Sequence, residues 1–287
     1  MTQERARALR LVVIAYLVAS AVGAVFLVIA PGGPLLKAFI ADVAATVVIF
    51  IYSRIYSNSS FYDPYWSVIP PLLAIYWMLA AGAVDVRGWL AFILVCFWAI
   101  RLTGNWTTYW TGLDHEDWRY PMVRGTYPKF ALISDFAGIH MFPTIQVFLG
   151  CLPLYAAITY GSGGLIWLDY IAAAAMFSAV MIELIADIQL HRFLKERKQG
   201  EFIHSGLWAW SRHPNYFGEV LFWWGLMLFG LAAYPSGWWW LISGALAMTL
   251  MFVFASIPMM DKRNCERRPG YAEFMREVPM LVPRPPK

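Results

Sequence analysis

The sequence predicts an all-α, polytopic integral membrane protein with about eight transmembrane helices, seven at the fewest, and with both termini in the cytoplasm. Three observations predict it: composition, long apolar runs separated by breaker residues, and the placement of basic residues. Of 287 residues, 60% are hydrophobic and 14% charged. A soluble domain carries about a quarter charged residues. So little charge cannot cover a water-facing surface, so lipid must solvate much of the chain.

A span needs roughly 20 apolar residues to cross a hydrocarbon core about 30 Å thick. Candidate spans run near 10–30, 35–55, 66–84, 88–110, 139–160, 163–193, 216–234 and 237–258. The first two are parted by Pro31-Gly32-Gly33-Pro34, the third and fourth by Asp85 to Gly88, the fifth and sixth by Gly161 to Gly164, and the last pair by Pro235-Ser236-Gly237. Such segments turn the chain tightly. Pro70-Pro71 predicts a kinked or irregular third span. The sixth run is long enough to tilt or to project into the cytoplasm.

With the N-terminus inside, every basic residue except Lys37 and Arg87 falls on the cytoplasmic side, as the positive-inside rule requires of an even number of helices. Three polar segments, 111–138, 191–215 and 259–287, gather the chemistry at that face. This suits a substrate entering from the bilayer and a charged cofactor entering from the cytosol. It does not suit a transporter with a midplane site. Cys96, Cys151 and Cys265 are far apart, and the five histidines lack ligand spacing, so neither a disulfide framework nor a metal site is expected. The N-terminus does not read as a cleaved signal. We expect one transmembrane domain over 1–287, with residues 1–160 forming much of a lipid-substrate pocket and 161–287 most of a cofactor cavity.

The most informative run is Ser211-Arg212-His213-Pro214-Asn215-Tyr216-Phe217-Gly218-Glu219. Pro214 fixes φ and Asn215 is expected to cap the following helix. The free N–H groups there, with Arg212, would make an anion site. Glu219 lies one turn inside an apolar helix, where a carboxylate is expensive and needs a partner. The plainer reading is a helix cap with an Arg–Glu pair. Upstream, Glu183 and Asp187 are four apart and share a helix face. They need basic residues, hydroxyls or an amide to face, or they form an internal ion-pair network.

Asn215-Tyr216-Phe217-Gly218-Glu219, preceded by Gly206-Leu207-Trp208 and followed by Trp223, Trp224 and Gly225, resembles the C-terminal signature of steroid 5α-reductases and their bacterial relatives. The resemblance takes in Glu183, Asp187, His191 and Arg192 upstream and Tyr271, Pro279 and Pro283 in the tail, covering roughly 180–287. It implies that the C-terminal half holds NADPH in a cytosol-facing cavity and that the N-terminal half holds a lipid-like enone. Asn215, Tyr216 and Glu219 would then contact the nicotinamide half. Asp187, Arg263, Arg267 and Tyr271 would contact ribose and phosphates, although Arg267 stands where the steroid enzymes usually have histidine. Glu183, Arg212 and His213 join this set.

Ser60 to Ser67 contains Asp63-Pro64, a helix start in its plain reading. The steroid reductases carry a Gln-Glu pair eight and seven residues before a proline; here Tyr62 and Asp63 occupy those places before Pro70. Tyr62 could donate to a substrate carbonyl with Asp63 orienting it, which would draw electrons from the double bond. Trp66 and His140 are candidate substrate-lining residues, and Trp98 replaces the family's second carbonyl-binding tyrosine. Asn105 and the cluster Glu116-Asp117-Trp118-Arg119-Tyr120 read either as a solvated loop or as further cofactor contacts, with Arg119 on a phosphate.

The expected activity is NADPH-dependent reduction of a lipophilic enone, a 3-oxo-Δ4 steroid or similar isoprenoid, by hydride transfer to the β-carbon. The alternative is an S-adenosylmethionine-dependent methyltransferase, because Arg212-His213-Pro214 with Tyr216 and Gly218 also resembles isoprenylcysteine carboxyl methyltransferases. Those proteins carry paired glutamates before the tail, whereas here Glu266 is followed by Arg267. A bacterial inner membrane, membrane lipid, no nucleic acid and no obligate protein partner complete the expectation.

Overall fold

The computed structural model describes residues 2–126 and 128–286, which form helices and turns with no strand among the described residues. Eight described helical stretches are long and apolar enough to cross a membrane, which makes this an integral membrane protein. The chain begins with α1 (Gln3–Ile29), α2 (Pro34–Ile55), α3 (Tyr65–Ala81) and α4 (Val86–Tyr109). The short α5 (Arg119–Thr126) and α6 (Ala131–Ser134) lead through a π-helical turn, Asp135–Met141, into α7 (Phe142–Thr159). Then come α8 (Trp167–Glu196), α9 (Pro214–Ala233), α10 (Trp238–Met251), a second π-helical turn (Phe252–Ser256), α11 (Ile257–Arg267) and α12 (Tyr271–Glu277).

Two compact units result, Met1–Cys151 and Leu152–Lys287. The division falls inside α7, not in the loop after it. Gly230 of α9 explains why: a Cβ there would lie 2.6 Å from Pro153 Cα, so the last turns of α7 pack with the second unit.

In the first unit, α1 buries Ala8, Val12, Ala15, Ala19 and Gly23, one residue every three or four, against Ala38, Ala41, Ala45 and Ile49 of α2. Small residues let two backbones approach where lipid gives no hydrophobic drive for association. Leu17, Val28, Leu79 and Ile100 on the outer faces are exposed, as lipid contact requires. In the second unit α9 lies still closer to α8. A Cβ on Gly218 would meet Ala179 O at 2.9 Å and the Glu183 side chain. One on Gly225 would meet Met176 N at 3.1 Å and Ala172 O at 3.2 Å.

Several local expectations change. The third span runs unbroken through Pro70 and Pro71, with Ser67 and Thr103 hydroxyls paired at 2.9 Å beside the carbonyls that the prolines leave without helical donors. Asp63-Pro64 does not cap α3 through its side chain; Pro64 itself stands at the cap position. Asn215 does not cap α9, because the helix already begins at Pro214, with His213 before it. The last span does not stop near 258. It continues as α11, so Asp261, Arg263 and Asn264 sit on a helix. Pro258 removes one helical donor, and the π-turn just before it absorbs the defect without ending the helix.

Candidate functional site

The second unit builds its site from the α8–α9 connection, α11, α12 and the tail. The connection is pinned to α8 first. Leu207 N donates to Gln189 Oε1 at 2.9 Å and Trp208 Nε1 to Ala186 O at 3.0 Å. Gly206 is required there: its φ is +60°, and a Cβ would fall 2.5 Å from the Gln189 amide nitrogen. The next residues stitch the tail down. Arg212 N donates to Pro279 O, Arg284 N to Trp210 O and Ser211 Oγ to Leu281 O, at 2.8–3.0 Å.

Arg212 is buried, and both terminal nitrogens are engaged, while its Nε is buried without a partner among the described residues. Its Nη1 donates to Met275 O and Val278 O, both at 2.9 Å. These carbonyls belong to the C-terminal end of α12, where helical donors run out, so the guanidinium caps that helix. Its Nη2 donates to Asp261 Oδ2 at 2.8 Å. Asp261 Oδ1 accepts from His213 Nε2 at 2.9 Å and from the Tyr271 hydroxyl at 3.0 Å. A buried carboxylate held by a guanidinium, an imidazole and a phenol has the partners its desolvation demands. Burial pushes the Tyr271 phenol up; a hydrogen bond with Asn264 opposes this and the Asp261 charge adds to it, so the phenol stays a donor. The expected pairing of Arg212 with Glu219 is absent. Glu219 Oε1 accepts instead from Trp223 Nε1 at 2.9 Å, one turn along α9.

Beside this hub lies a partly open hollow of about 200 Å³. Arg212, His213, Asn215, Tyr216 and Tyr271 of the anticipated set line it together. His213 stacks on Tyr216 with ring centroids 5.3 Å apart and planes within 8°. Phe202, Trp208 and Phe274 add aromatic walls. Asn215 Oδ1 is buried there without a hydrogen-bond partner among the described residues. An unanswered acceptor in such a place costs about 1–3 kcal/mol unless a ligand supplies a donor. Glu183, Asp187, Glu219, Arg263 and Arg267 do not line this hollow. Glu183, Asp187 and Glu219 are nevertheless buried, Glu183 packing over Gly218 next in the chain to Glu219.

In the first unit Tyr62 and Asp63 are buried but do not bond each other. The Tyr62 hydroxyl pairs with Thr144 Oγ1 at 2.7 Å, and Thr144 Oγ1 with Thr46 Oγ1 at 2.8 Å. Asp63 accepts from the Tyr120 hydroxyl and, at 3.2 Å, from Trp106 Nε1. The Tyr62 hydroxyl is thus held by Thr144, which itself donates to His140 O at 2.9 Å, and not by Asp63. Burial, then the Asp63 charge, pushes the Tyr120 phenol well up, so it donates and does not ionise. His140 is enclosed: Nδ1 lies 3.0 Å from Asp135 O and Nε2 3.1 Å from Ser53 Oγ. Trp66 and Trp98 meet edge to face, 6.4 Å between centroids. Arg119 turns back on Asp117 through two bonds of 2.8 and 3.0 Å, and Asn105 belongs to α4.

The residues missed by sequence reasoning are Asp261, Asp135, Asp42 and Thr144. Asp42 accepts from the Tyr65 hydroxyl at 2.9 Å inside the first unit. Its signal was present, an aspartate in an apolar run. Asp261 lacked one, standing among charges that read as a solvated tail. Among the described residues no cluster of three or more His, Cys, Asp or Glu side chains is arranged to hold a metal ion.

The chain matches no solved structure. It is 27% identical over 255 residues to an uncharacterized protein of Schizosaccharomyces pombe, an alignment covering 79% of this chain and 73% of the yeast protein. A family model described as a protein of unknown function, DUF1295, matches residues 49–278, from the last turns of α2 to the end of α12, and the chain therefore belongs to that family.

Proposed function

We propose that this chain is an NADPH-dependent reductase of the polarised carbon–carbon double bond of a lipophilic enone, related to the steroid 5α-reductases. The observation that carries the proposal is the Asn215 carboxamide, whose acceptor is buried without a partner among the described residues and which lines a hollow together with His213, Tyr216 and Tyr271. Asn215, Tyr216 and Tyr271 belong to the set that the steroid reductase resemblance assigns to the cofactor, and His213 joins them. Hydroxyl and carboxamide N–H groups are the donors this acceptor lacks. Bound NADPH supplies the hydride. Asn215 would fix the cofactor's orientation, and the stacked His213 and Tyr216 rings would present a flat apolar surface to it. Asp261 would keep His213 and Tyr271 in place. In the first unit, the Tyr62 hydroxyl, paired with Thr144 as the structure stands, would turn from Thr144 to donate to the substrate carbonyl. The cofactor side and both chain ends would face the cytoplasm.

The test is thermal stabilisation of purified protein by NADPH, by NADH and by S-adenosylmethionine. A ligand at a hundred times its Kd adds about 2.7 kcal/mol of stability. NADPH should stabilise, and a shift with S-adenosylmethionine alone would reject the reductase in favour of a methyltransferase. The Asn215→Leu variant sharpens the result. Removing an unanswered buried acceptor should leave stability equal or slightly higher, while the NADPH shift disappears. Retention of the full NADPH shift in that variant would remove Asn215 from the site.

A further inference from the structure

Arg212, the residue that sequence reasoning places on an anion, is already paired with a carboxylate. Two carbonyls take its Nη1 protons, Asp261 takes one from Nη2 and balances its charge, and its Nε–H is enclosed. Further positive charge lies at the rim of the same hollow. Arg268, the residue after α11, lines the hollow and is half-buried. Arg197 is the residue that ends α8. The loop that follows Arg197 returns to Arg268: Gly200 has φ +89°, and a Cβ on it would stand 3.6 Å from Pro269 Cδ. Arg263 and Arg267 are one turn apart on α11 and face the same way.

Arg197, Arg267 and Arg268 form no ion pair with any described residue. The nearby acids do not answer them. Glu201 accepts from Lys198 N at 2.9 Å, and Glu196 and Glu266 pair with none of the three. Burial pushes the Arg268 guanidinium down, and Arg197, Arg263 and Arg267 push it the same way. Like charges gathered on a half-buried site repel one another unless an anion joins them.

We propose that Arg268 and Arg197, backed by Arg263 and Arg267, form a subsite for a phosphate monoester dianion, with the attached purine seated against Phe202, Trp208, Tyr271 and Phe274. A monoester carries about −1.5 to −2 charges at pH 7, which suits several guanidiniums better than the single charge of a diester. Planar guanidinium forks also match phosphate geometry. The assignment rests on the NADPH reading, since that cofactor bears such a monoester on its adenosine ribose. It makes the rim, not Arg212, the element that separates NADPH from NADH.

Isothermal titration of the purified full chain in detergent tests it, with adenosine 2′,5′-bisphosphate and adenosine 5′-monophosphate as probes. The bisphosphate should bind wild type at least about tenfold tighter, the scale of one strong charge-assisted contact. In Arg197→Ala/Arg268→Ala the ratio should fall close to one. Arg268→Lys, which keeps charge and loses the fork, should lie between. Thermal midpoints of all variants check that the fold persists. A double variant that keeps the full ratio overturns the subsite while NADPH binding by wild type leaves the reductase reading standing. Wild type that binds neither NADPH nor the bisphosphate sinks both. Dihexanoyl phosphatidate, added as a competitor, separates a lipid headgroup from a nucleotide. Loss of its binding in the double variant, with the nucleotide ratio unaltered, would give the rim to lipid and overturn the proposal.

Discussion

Asp135 in the first unit and Asp261 in the second occupy comparable settings. Each is buried, and each belongs to a helix that carries a π-turn with a proline two residues after it, Pro143 in one case and Pro258 in the other. Asp135 meets Arg54 at 3.2 Å and Ser59 at 2.9 Å, with Arg124 at 3.8 Å. Arg124 pairs in turn with Glu116, whose Oε1 also accepts from Ser59 N. Two carboxylates and two guanidiniums close on themselves, and the network reads as a fastening. Asp261 is as well supplied, by Arg212, His213 and Tyr271. Around it, however, one amide acceptor and three arginines are left over. A network closed on itself holds helices together, whereas one that leaves polar groups unanswered beside it suits the proposed binding site.

The comparison can be broken most directly at Asp261. Asp261→Leu strands the buried Arg212 cation and should cost about 3–5 kcal/mol, read as a lowered thermal midpoint in detergent. Adding Arg212→Met should recover part of that loss, because replacing a whole buried pair is far cheaper than removing one member. A midpoint unchanged by Asp261→Leu would end the description of this residue as a hub. The next effect concerns helix contact. Gly218→Ala drives a methyl to within 2.9 Å of Ala179 O and should cost about 1–3 kcal/mol. Gly23→Ala in the first unit meets nothing nearer than 3.6 Å and should be neutral or stabilising by about 0.5–1 kcal/mol. Equal costs at the two glycines would deny the tighter α8–α9 approach. The smallest change is Glu116→Gln. Its pair with Arg124 is only partly shielded, so a loss of about 1 kcal/mol or less is expected, detectable as a lower urea midpoint at unchanged slope.

Hydropathy and breaker residues made the membrane architecture legible, because the bilayer imposes a length on every span and the turn residues mark the gaps. The helix continuing through Pro258 was not legible. A proline followed by Asp261, Lys262 and Arg263 has the composition of a solvated tail, and a π-turn leaves no residue signature of its own. At the site, Asn215, His213, Tyr216 and Tyr271 could be picked out because an amide, a ring and a phenol cluster around a helix start and a tail motif. Their roles could not. Which group neutralises Arg212 depends on where α11 points, and only the fold brings Asp261 to it. Tyr62 and Asp63 show the same limit. Both stand in the turn just before α3, where no regular element sets side-chain direction, so adjacency in sequence did not make them a pair.

The stitching of the tail has an evolutionary corollary. Arg212, Ser211 and Trp210 grip residues 275–284 through main-chain carbonyls and one amide, groups that nearly every amino acid offers. The attachment therefore survives side-chain changes along that stretch, although Met280 and Leu281 also pack with Val220, Phe252 and Ile257, and Pro279 is admissible because it contributes only a carbonyl. Position 284 is the exception, since its N–H is the donor to Trp210 and a proline there would unpick the seam. Arg212 has no such latitude, for no other side chain can span Asp261 and two carbonyls at once.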